Sequence, residues 1–193
     1  MRWSVSGSFA TGKTTLVQQV AKVWNHKCGR LMSLTETARE IIFDGFPLDK
    51  STTPRTVLEY IARQLGKERQ TLEAEFLLAD RSLVDLLACV IVEESAGRMV
   101  GVSLALKEIV NLEGKYFDGY IILPIEWPAI PDGVREVDET YRRQLESALI
   151  SALQTSGARV EVVTGNLEER VLRTIDLLQG AVPPRCEPRI AEH

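Results

Sequence analysis

The spacing of apolar residues predicts a chain in which short strands alternate with amphipathic helices. Short apolar runs are typical of strands buried on both faces, and apolar residues three or four positions apart indicate helices. The predicted strands are Arg2–Ser6, Leu31–Leu34, Phe76–Ala79, Tyr120–Leu123 and Val160–Val163. The predicted helices are Lys13–Trp24, one from about Thr37, Val57–Thr71, Leu83–Glu94, Thr140–Thr155 and Leu167–Leu178.

This alternation predicts an α/β fold, because helical crossovers between parallel strands cover both faces of a sheet. We expect a three-layer architecture around a parallel sheet with five strands. The chain has 193 residues, of which 45% are hydrophobic, and this suits one domain over residues 1–180. Residues 181–193 contain three prolines and no apolar period, so we expect a flexible tail there.

The charge balance narrows the classes of partner. With 23 basic and 27 acidic residues, the net charge of −4 offers no electrostatic basis for binding duplex nucleic acid.

The longest apolar run, around Leu83 to Val92, is interrupted by Asp85 and is too short to span a bilayer. The first residues lack the pattern of a signal peptide, so we expect a cytoplasmic protein with no membrane attachment. A homodimer is compatible with this composition.

A glycine-rich segment, here named the phosphate loop, follows the first predicted strand. Its residues, Gly7-Ser8-Phe9-Ala10-Thr11-Gly12-Lys13-Thr14, match G-x-x-x-x-G-K-[ST] at every fixed position, and Thr15 continues into the helix. The glycines permit a tight turn whose N–H groups meet phosphate oxygens at the positive end of that helix. We expect Lys13 to reach the β- and γ-phosphates and the Thr14 hydroxyl to bind Mg²⁺. The motif therefore predicts that residues 7–15 bind ATP with Mg²⁺.

Two carboxylates at the ends of predicted strands are candidates for the chemistry. Asp80 closes the third strand, where it would hold Mg²⁺ directly or through water, or else cap the following helix. Glu36 follows the second strand, where it would accept the proton of an attacking hydroxyl or hold the substrate. The alternative for Glu36 is an acid at a helix start, favoured by the helix dipole.

Arginines after the fourth strand are candidates for stabilising the transferring phosphoryl group. Asp132-Gly133-Val134-Arg135 follows a proline-rich segment and predicts a mobile lid, in which Arg135 would act as a catalytic cation. Arg142 and Arg143 on the next predicted helix are further candidates, for which the alternative of solvated surface charge is stronger than it is for Arg135.

These motifs resemble the P-loop kinase-like ATPases related to the ribosylnicotinamide kinase domain, a group with broader similarity to nucleoside and nucleotide kinases. The similar features are Gly7 to Thr15, Glu36 with Ala38-Arg39, Asp80-Arg81-Ser82 followed by Asp85, and the Asp132 to Arg135 lid with Asp138 and Arg142. The resemblance implies the P-loop NTPase fold with its five-stranded parallel sheet, ATP as donor and Mg²⁺. It also implies a substrate cleft between Glu36, Arg39 and Asp80-Arg81, with Asp85 as a further substrate-binding residue. The fold transfers between such relatives better than the substrate does.

The leading interpretation is phosphoryl transfer from ATP to a nucleoside, a nucleotide or a related ribosyl compound. Three rivals use the same phosphate loop: an NTPase switch acting on a protein or nucleic-acid partner, a polynucleotide 5′-kinase with a cationic channel, and a non-catalytic nucleotide-binding module. The predicted lid favours a small-molecule kinase, because excluding water from the transferring phosphate suppresses hydrolysis.

Overall fold

The computed structural model describes residues 1–113, 115–129 and 138–180. The strands are β1 (Arg2–Ser6), β2 (Leu31–Leu34), β3 (Phe76–Asp80), β4 (Gly119–Ile122) and β5 (Val160–Val162). The helices are α1 (Lys13–Val23), α2 (Thr37–Phe43), α3 (Pro54–Gln70), α4 (Leu83–Ser95), α5 (Val102–Glu113), α6 (Glu139–Ser156) and α7 (Leu167–Gln179). Short 3₁₀ turns lie at His26–Cys28 and Asp49–Ser51.

The five strands form one sheet in the order β2-β3-β1-β4-β5, and every neighbouring pair is parallel. Val5 of β1 pairs with Asp80 of β3, and Leu34 of β2 pairs with Ala79 of β3. Because parallel strands end at a common edge, this register brings the phosphate loop, Asp80 and the residues after Leu34 together.

Two hydrophobic clusters hold helices on opposite faces of the sheet. One cluster joins residues of α2 to α6 with side chains of β2, β3 and β4. The other joins α1 and α7 with β1 and includes Trp3, which is fully buried. The three layers and the five-stranded parallel sheet confirm the predicted fold class.

Helix α5 is the main difference from the expected elements. Its buried residues Leu106 and Val110 are four positions apart, as an amphipathic helix requires. However, Leu104 is 70% exposed and Leu112 is 78% exposed, so apolar residues on the solvent side obscure the period. Among the described residues, no helix is both long enough and apolar enough to cross a membrane. The expected tail, residues 181–193, lies outside the described residues.

Candidate active site

The phosphate loop takes backbone conformations that its glycines make accessible. Gly7 has φ 151°, and a Cβ atom there would lie 2.6 Å from the carbonyl oxygen of Leu123. Gly12 has φ 87° in the left-handed region and caps the N-terminus of α1. The loop thus leaves β1 against β4 and turns directly into the first turn of α1, the geometry that suits an anion.

Five consecutive carbonyl oxygens of this loop accept hydrogen bonds from cationic side chains. Arg81 donates to Gly7, Lys13 to Ser8, Arg142 to Phe9 and Ala10, and Arg170 to Thr11. A carbonyl that points outward leaves the N–H group of the same planar peptide pointing to the other side. The cations therefore lie on the carbonyl side of these peptides, and the amides of residues 8–12 point to the opposite side, where an anion can meet them.

Lys13 is folded back onto its own loop. Its Nζ donates to the carbonyl of Ser8 and, at 3.2 Å, to the hydroxyl of Thr11. Burial, followed by repulsion from Arg81, lowers the pKa of the Lys13 ammonium to about 7. A bound phosphate would supply this ammonium with a directly contacting anionic partner.

Asp80 is buried at the end of β3, with 2% of its surface exposed. Neither carboxylate oxygen accepts a hydrogen bond among the described residues. Burial raises its pKa, while the Thr14 hydroxyl counteracts the rise without reaching good hydrogen-bond geometry. An unsatisfied buried carboxylate beside a hydroxyl fits Mg²⁺, which prefers oxygen ligands. The alternative role as a helix cap does not apply, because Ser82 caps α4.

Glu36 and Arg81 form an ion pair across the ends of β2 and β3. The Nε of Arg81 lies 2.8 Å from Oε1 of Glu36, and the Nε of Arg39 lies 2.9 Å from Oε2. Glu36 stands at the start of α2, yet its side chain makes no capping hydrogen bond there. Arg81 has φ 77°, an uncommon backbone conformation for a residue with a side chain. Such strain is frequent at functional sites, and here it accompanies the contact with Glu36.

Asp85 supports the phosphate loop from the first turn of α4. Its carboxylate accepts hydrogen bonds from the Ser6 hydroxyl at 2.8 Å, the Gly7 amide at 3.3 Å and the Ser82 amide at 3.2 Å. Arg81 approaches the same carboxylate at 3.4 Å. These bonds occupy both oxygens of Asp85, so its evident task is to tie β1 and its loop to α4. The expected contact with substrate stays a prediction.

A pocket opens beside the loop between α2, α3, α4 and α6. Arg81, Asp85 and Tyr60 contribute polar groups, and the remaining lining is mainly apolar, including Leu86 and Leu149. The space within this half-open pocket measures about 40 Å³. That volume holds a few water molecules, and a larger ligand would extend through the open side of the pocket.

The structure excludes solvated surface charge, the alternative interpretation, for Arg142. Arg142 is only 1% exposed and contacts the phosphate loop, whereas Arg143 lines a groove on the outer side of α6. A signal was present in the sequence, because Arg142 lies in helical phase with Leu149 and Leu153, which are buried.

Arg170 belongs to the site as well, although the sequence motifs did not point to it. It lies on the buried side of α7 and reaches the carbonyl of Thr11 at 2.9 Å. The structure thus brings Lys13, Thr14, Glu36, Asp80 and Arg81 to one edge of the sheet. Arg135, the expected lid cation, lies outside the described residues, and its role stays a prediction.

The fold and the phosphate loop together define a P-loop protein of the α/β class. The family model described as AAA domain matches residues 2–170, and the chain belongs to that family. No curated protein matches the chain significantly in sequence.

Solved structures of kinases share the fold. Deoxyadenosine kinase from M. mycoides, with dCMP and dCDP bound, has a TM-score of 0.64 and 14% identity, with 91% of this chain and 97% of that chain covered. Thymidylate kinase from Ehrlichia chaffeensis has a TM-score of 0.64 and 15% identity, with 92% and 98% covered. NadR in complex with NR has a TM-score of 0.70 and 19% identity, with 96% of this chain and 53% of that chain covered. The resemblance to P-loop kinase-like proteins is therefore confirmed in fold and family.

Proposed function

We propose that the protein is a kinase that uses ATP and Mg²⁺ to phosphorylate a hydroxyl group of a nucleoside-like small molecule. The Glu36–Arg81 pair beside the pocket carries this proposal. A carboxylate and a guanidinium held at the phosphate loop suit an acceptor that needs both orientation and removal of a proton. The fold shared with deoxyadenosine kinase and thymidylate kinase supports the same class of acceptor.

The phosphate end of the site would be served by the loop and Asp80. Thr14 and Asp80 would hold Mg²⁺, which supplies neutralisation of charge on the phosphates when it is bound. Lys13 would exchange its contact with the Ser8 carbonyl for the β- and γ-phosphates. The amides of residues 8–13 would hold the remaining phosphate oxygens.

At the acceptor end, Glu36 would take the proton from the attacking hydroxyl. The hydroxyl oxygen forms the new bond to the γ-phosphorus, and the bond from that phosphorus to the β–γ bridging oxygen breaks. Arg81 would keep the Glu36 carboxylate oriented toward the hydroxyl, because its own backbone is fixed by a 3.0 Å hydrogen bond to Val5. Arg39, whose side chain is 59% exposed, would contact the part of the acceptor nearest to solvent.

One observation favours a second candidate, an ATPase. The space of about 40 Å³ within the pocket admits water, whereas a nucleoside would extend beyond it. In an ATPase the same loop and Asp80 would act, and water would replace the acceptor hydroxyl.

A transfer screen with γ-labelled ATP tests the proposal. Nucleosides, nucleotides, ribosylnicotinamide and a 5′-hydroxyl oligonucleotide would be offered separately, and labelled product and free phosphate would both be measured. We expect a labelled small molecule whose formation is lost in Glu36→Gln. Glu40→Gln is the matched control, because Glu40 lies on the same helix and pairs with Lys67 on α3. Label that appears only as free phosphate would support the ATPase instead.

A further inference from the structure

We propose that Arg142 and Arg170 are positioning residues that hold the phosphate loop in its anion-receptive shape. Each would strengthen polyphosphate binding through the loop backbone, without contacting the ligand. The inference rests on the nucleotide-binding role proposed above for the loop. It assigns a task to two buried cations that the phosphoryl-transfer steps do not use.

Arg142 reaches the loop from the first turn of α6. Its Nε donates to the carbonyl of Phe9 at 2.9 Å, and its Nη2 donates to the carbonyl of Ala10 at 3.2 Å. Its own carbonyl accepts a 2.8 Å hydrogen bond from the hydroxyl of Ser8. One residue thus contacts three consecutive positions of the loop. Ala10 has φ 54°, so the guanidinium holds a peptide in a left-handed conformation that alanine rarely adopts.

Arg170 reaches the loop from the first turn of α7. Its Nη1 donates to the carbonyl of Thr11 at 2.9 Å, and its Nε donates to the carbonyl of Gly165 at 2.8 Å. Its Nη2 pairs with the carboxylate of Glu126, and the guanidinium stacks 4.9 Å from the ring centroid of Trp127. Held on several sides, Arg170 has little freedom to leave the Thr11 carbonyl.

Trp127 joins the two arginines into one brace. Its carbonyl accepts a 2.8 Å hydrogen bond from Nη1 of Arg142, and the guanidinium of Arg170 lies over its ring. The loop is therefore held from α6 and α7 by side chains that also share a third contact. Because neighbouring residues with shared partners are energetically coupled, we expect the effects of the two arginines to be non-additive.

The peptide plane links these contacts to the ligand side of the loop. Holding the carbonyls of Phe9, Ala10 and Thr11 outward fixes the direction of the next amide in each case, up to Gly12. A cation on a carbonyl also polarises the peptide and makes its N–H group a stronger donor. Both effects prepare the amides before the anion arrives, so less ordering is required on binding.

The chemistry of the brace argues against a purely structural role. Burying guanidinium groups is unfavourable unless partners satisfy them, and apolar side chains would fill the same space without that penalty. Here the cations converge on a loop that already contains the buried ammonium of Lys13 and that accepts a hydrogen bond from the partly buried Arg81. Such concentration of positive charge is favourable where a polyphosphate binds.

The test compares ATP with inorganic tripolyphosphate, each with Mg²⁺, in calorimetric titrations well below the melting temperature. The variants are Arg142→Gln and Arg170→Gln, with Arg170→Lys as the conservative change. Arg143→Gln and Arg173→Gln are the controls, because Arg143 lines an outer groove and Arg173 is paired with Glu161 at the surface. Melting temperatures without ligand are recorded for every variant.

We expect each glutamine substitution to lower the affinities for ATP and for tripolyphosphate by the same factor, about tenfold or more, since hydrogen bonds from charged groups are lost. Arg170→Lys should recover part of that loss, and the two controls should bind as the native protein does. Weaker binding of ATP with unchanged binding of tripolyphosphate would overturn the inference, because it would mean that the arginines contact the nucleoside.

A lower melting temperature with unchanged affinities would also overturn it, by showing a role in folding only. If a glutamine variant fails to fold, the test rests on Arg170→Lys. Equal losses of affinity for both ligands in that variant would support the brace, and native affinities would refute it. The proposed function fails separately if the native protein binds neither ligand, and in that case the inference falls with it.

Discussion

The guanidinium of Arg81 lies 2.8 Å from the carboxylate of Glu36, although 45 positions separate the two residues along the chain. Its sequence neighbour Asp80 has no hydrogen-bond partner among the described residues. Asp80 and Arg81, which are adjacent at the end of β3, thus have different surroundings. Under the proposed function, Asp80 would hold a metal ion, while Arg81 would hold Glu36 on the acceptor side of the loop.

Replacing Lys13 by methionine should have opposite effects on the free and the ligand-bound protein. Its ammonium is buried and repelled by Arg81, so its removal should raise the melting temperature of the nucleotide-free protein. The rise should be about 2–4 °C for each kcal/mol gained in the free energy of unfolding. ATP with Mg²⁺ should stabilise the native protein by mass action and the variant much less. Thermal melts with and without ligand measure both effects.

Lys22→Met is the control for that experiment, because Lys22 is an exposed residue in the last turn of α1. It should leave the ligand-induced shift unchanged. Equal shifts in the native and Lys13→Met proteins would contradict the assignment of the phosphate loop.

Gly7→Ala should disrupt the loop by a direct clash. The new Cβ would lie 2.6 Å from the Leu123 carbonyl oxygen, and φ 151° is unfavourable for alanine. We expect a loss of about 1–3 kcal/mol in the free energy of unfolding, together with weaker ATP binding. Chemical denaturation measures the first and calorimetry the second.

Gly66→Ala provides the matched comparison. Gly66 lies inside α3, and a Cβ atom added there would meet nothing within 4 Å. Alanine should there stabilise the protein by about 0.5–1 kcal/mol, because glycine is the poorer helix former. Similar losses for both substitutions would mean that the close contact at Gly7 does not control loop geometry.

Much of the fold could be predicted because its determinants are local. Apolar runs identified all five strands, and G-x-x-x-x-G-K-[ST] located the loop between β1 and α1. The meeting of Glu36 and Asp80 followed from strand ends in a parallel sheet. Helix α5 was missed because Leu104 and Leu112 place apolar side chains on its exposed face.

The brace could not be predicted from the same local signals. The helical phase of Leu149 and Leu153 distinguishes Arg142 from Arg143, but it indicates only that Arg142 is buried and not which groups it contacts. Arg170 directly follows Glu168 and Glu169, a charged run that is typical of a solvated helix surface. Its contact with Thr11 spans 159 positions, which no motif encodes. Side chains that act through long-range contacts become visible only with the tertiary structure.

Asp80→Asn should stabilise the free protein while it removes the dependence on metal. Burial raises the pKa of Asp80, so a neutral amide of the same shape relieves an unfavourable desolvation. In the native protein, ATP should raise the melting temperature more with Mg²⁺ than with EDTA. The variant should lose most of that difference, and an undiminished Mg²⁺ effect would place the metal elsewhere.

The sharpest test compares Glu36→Gln with Asp80→Asn in the same reactions, with phosphorylated product and free phosphate measured together. Asp80→Asn should impair transfer and background hydrolysis alike, because both reactions need a correctly placed Mg²⁺. Glu36→Gln should lower transfer by about 10²-fold or more and spare hydrolysis and ATP affinity, since only the acceptor loses its proton partner. Glutamine retains the size of the side chain but loses the charge that pairs with Arg81 and Arg39.

Arg39→Gln separates proton transfer from that loss of pairing. It breaks the more exposed of the two ion pairs and leaves the Glu36 carboxylate and its 2.8 Å contact with Arg81 in place. An exposed ion pair contributes little to stability, so this variant should fold normally and weaken acceptor binding more than turnover. If Glu36→Gln and Arg39→Gln have equal effects on kcat, Glu36 orients the acceptor rather than taking its proton. If Glu36→Gln leaves transfer intact, the acceptor lies elsewhere and Glu36 serves only the start of α2.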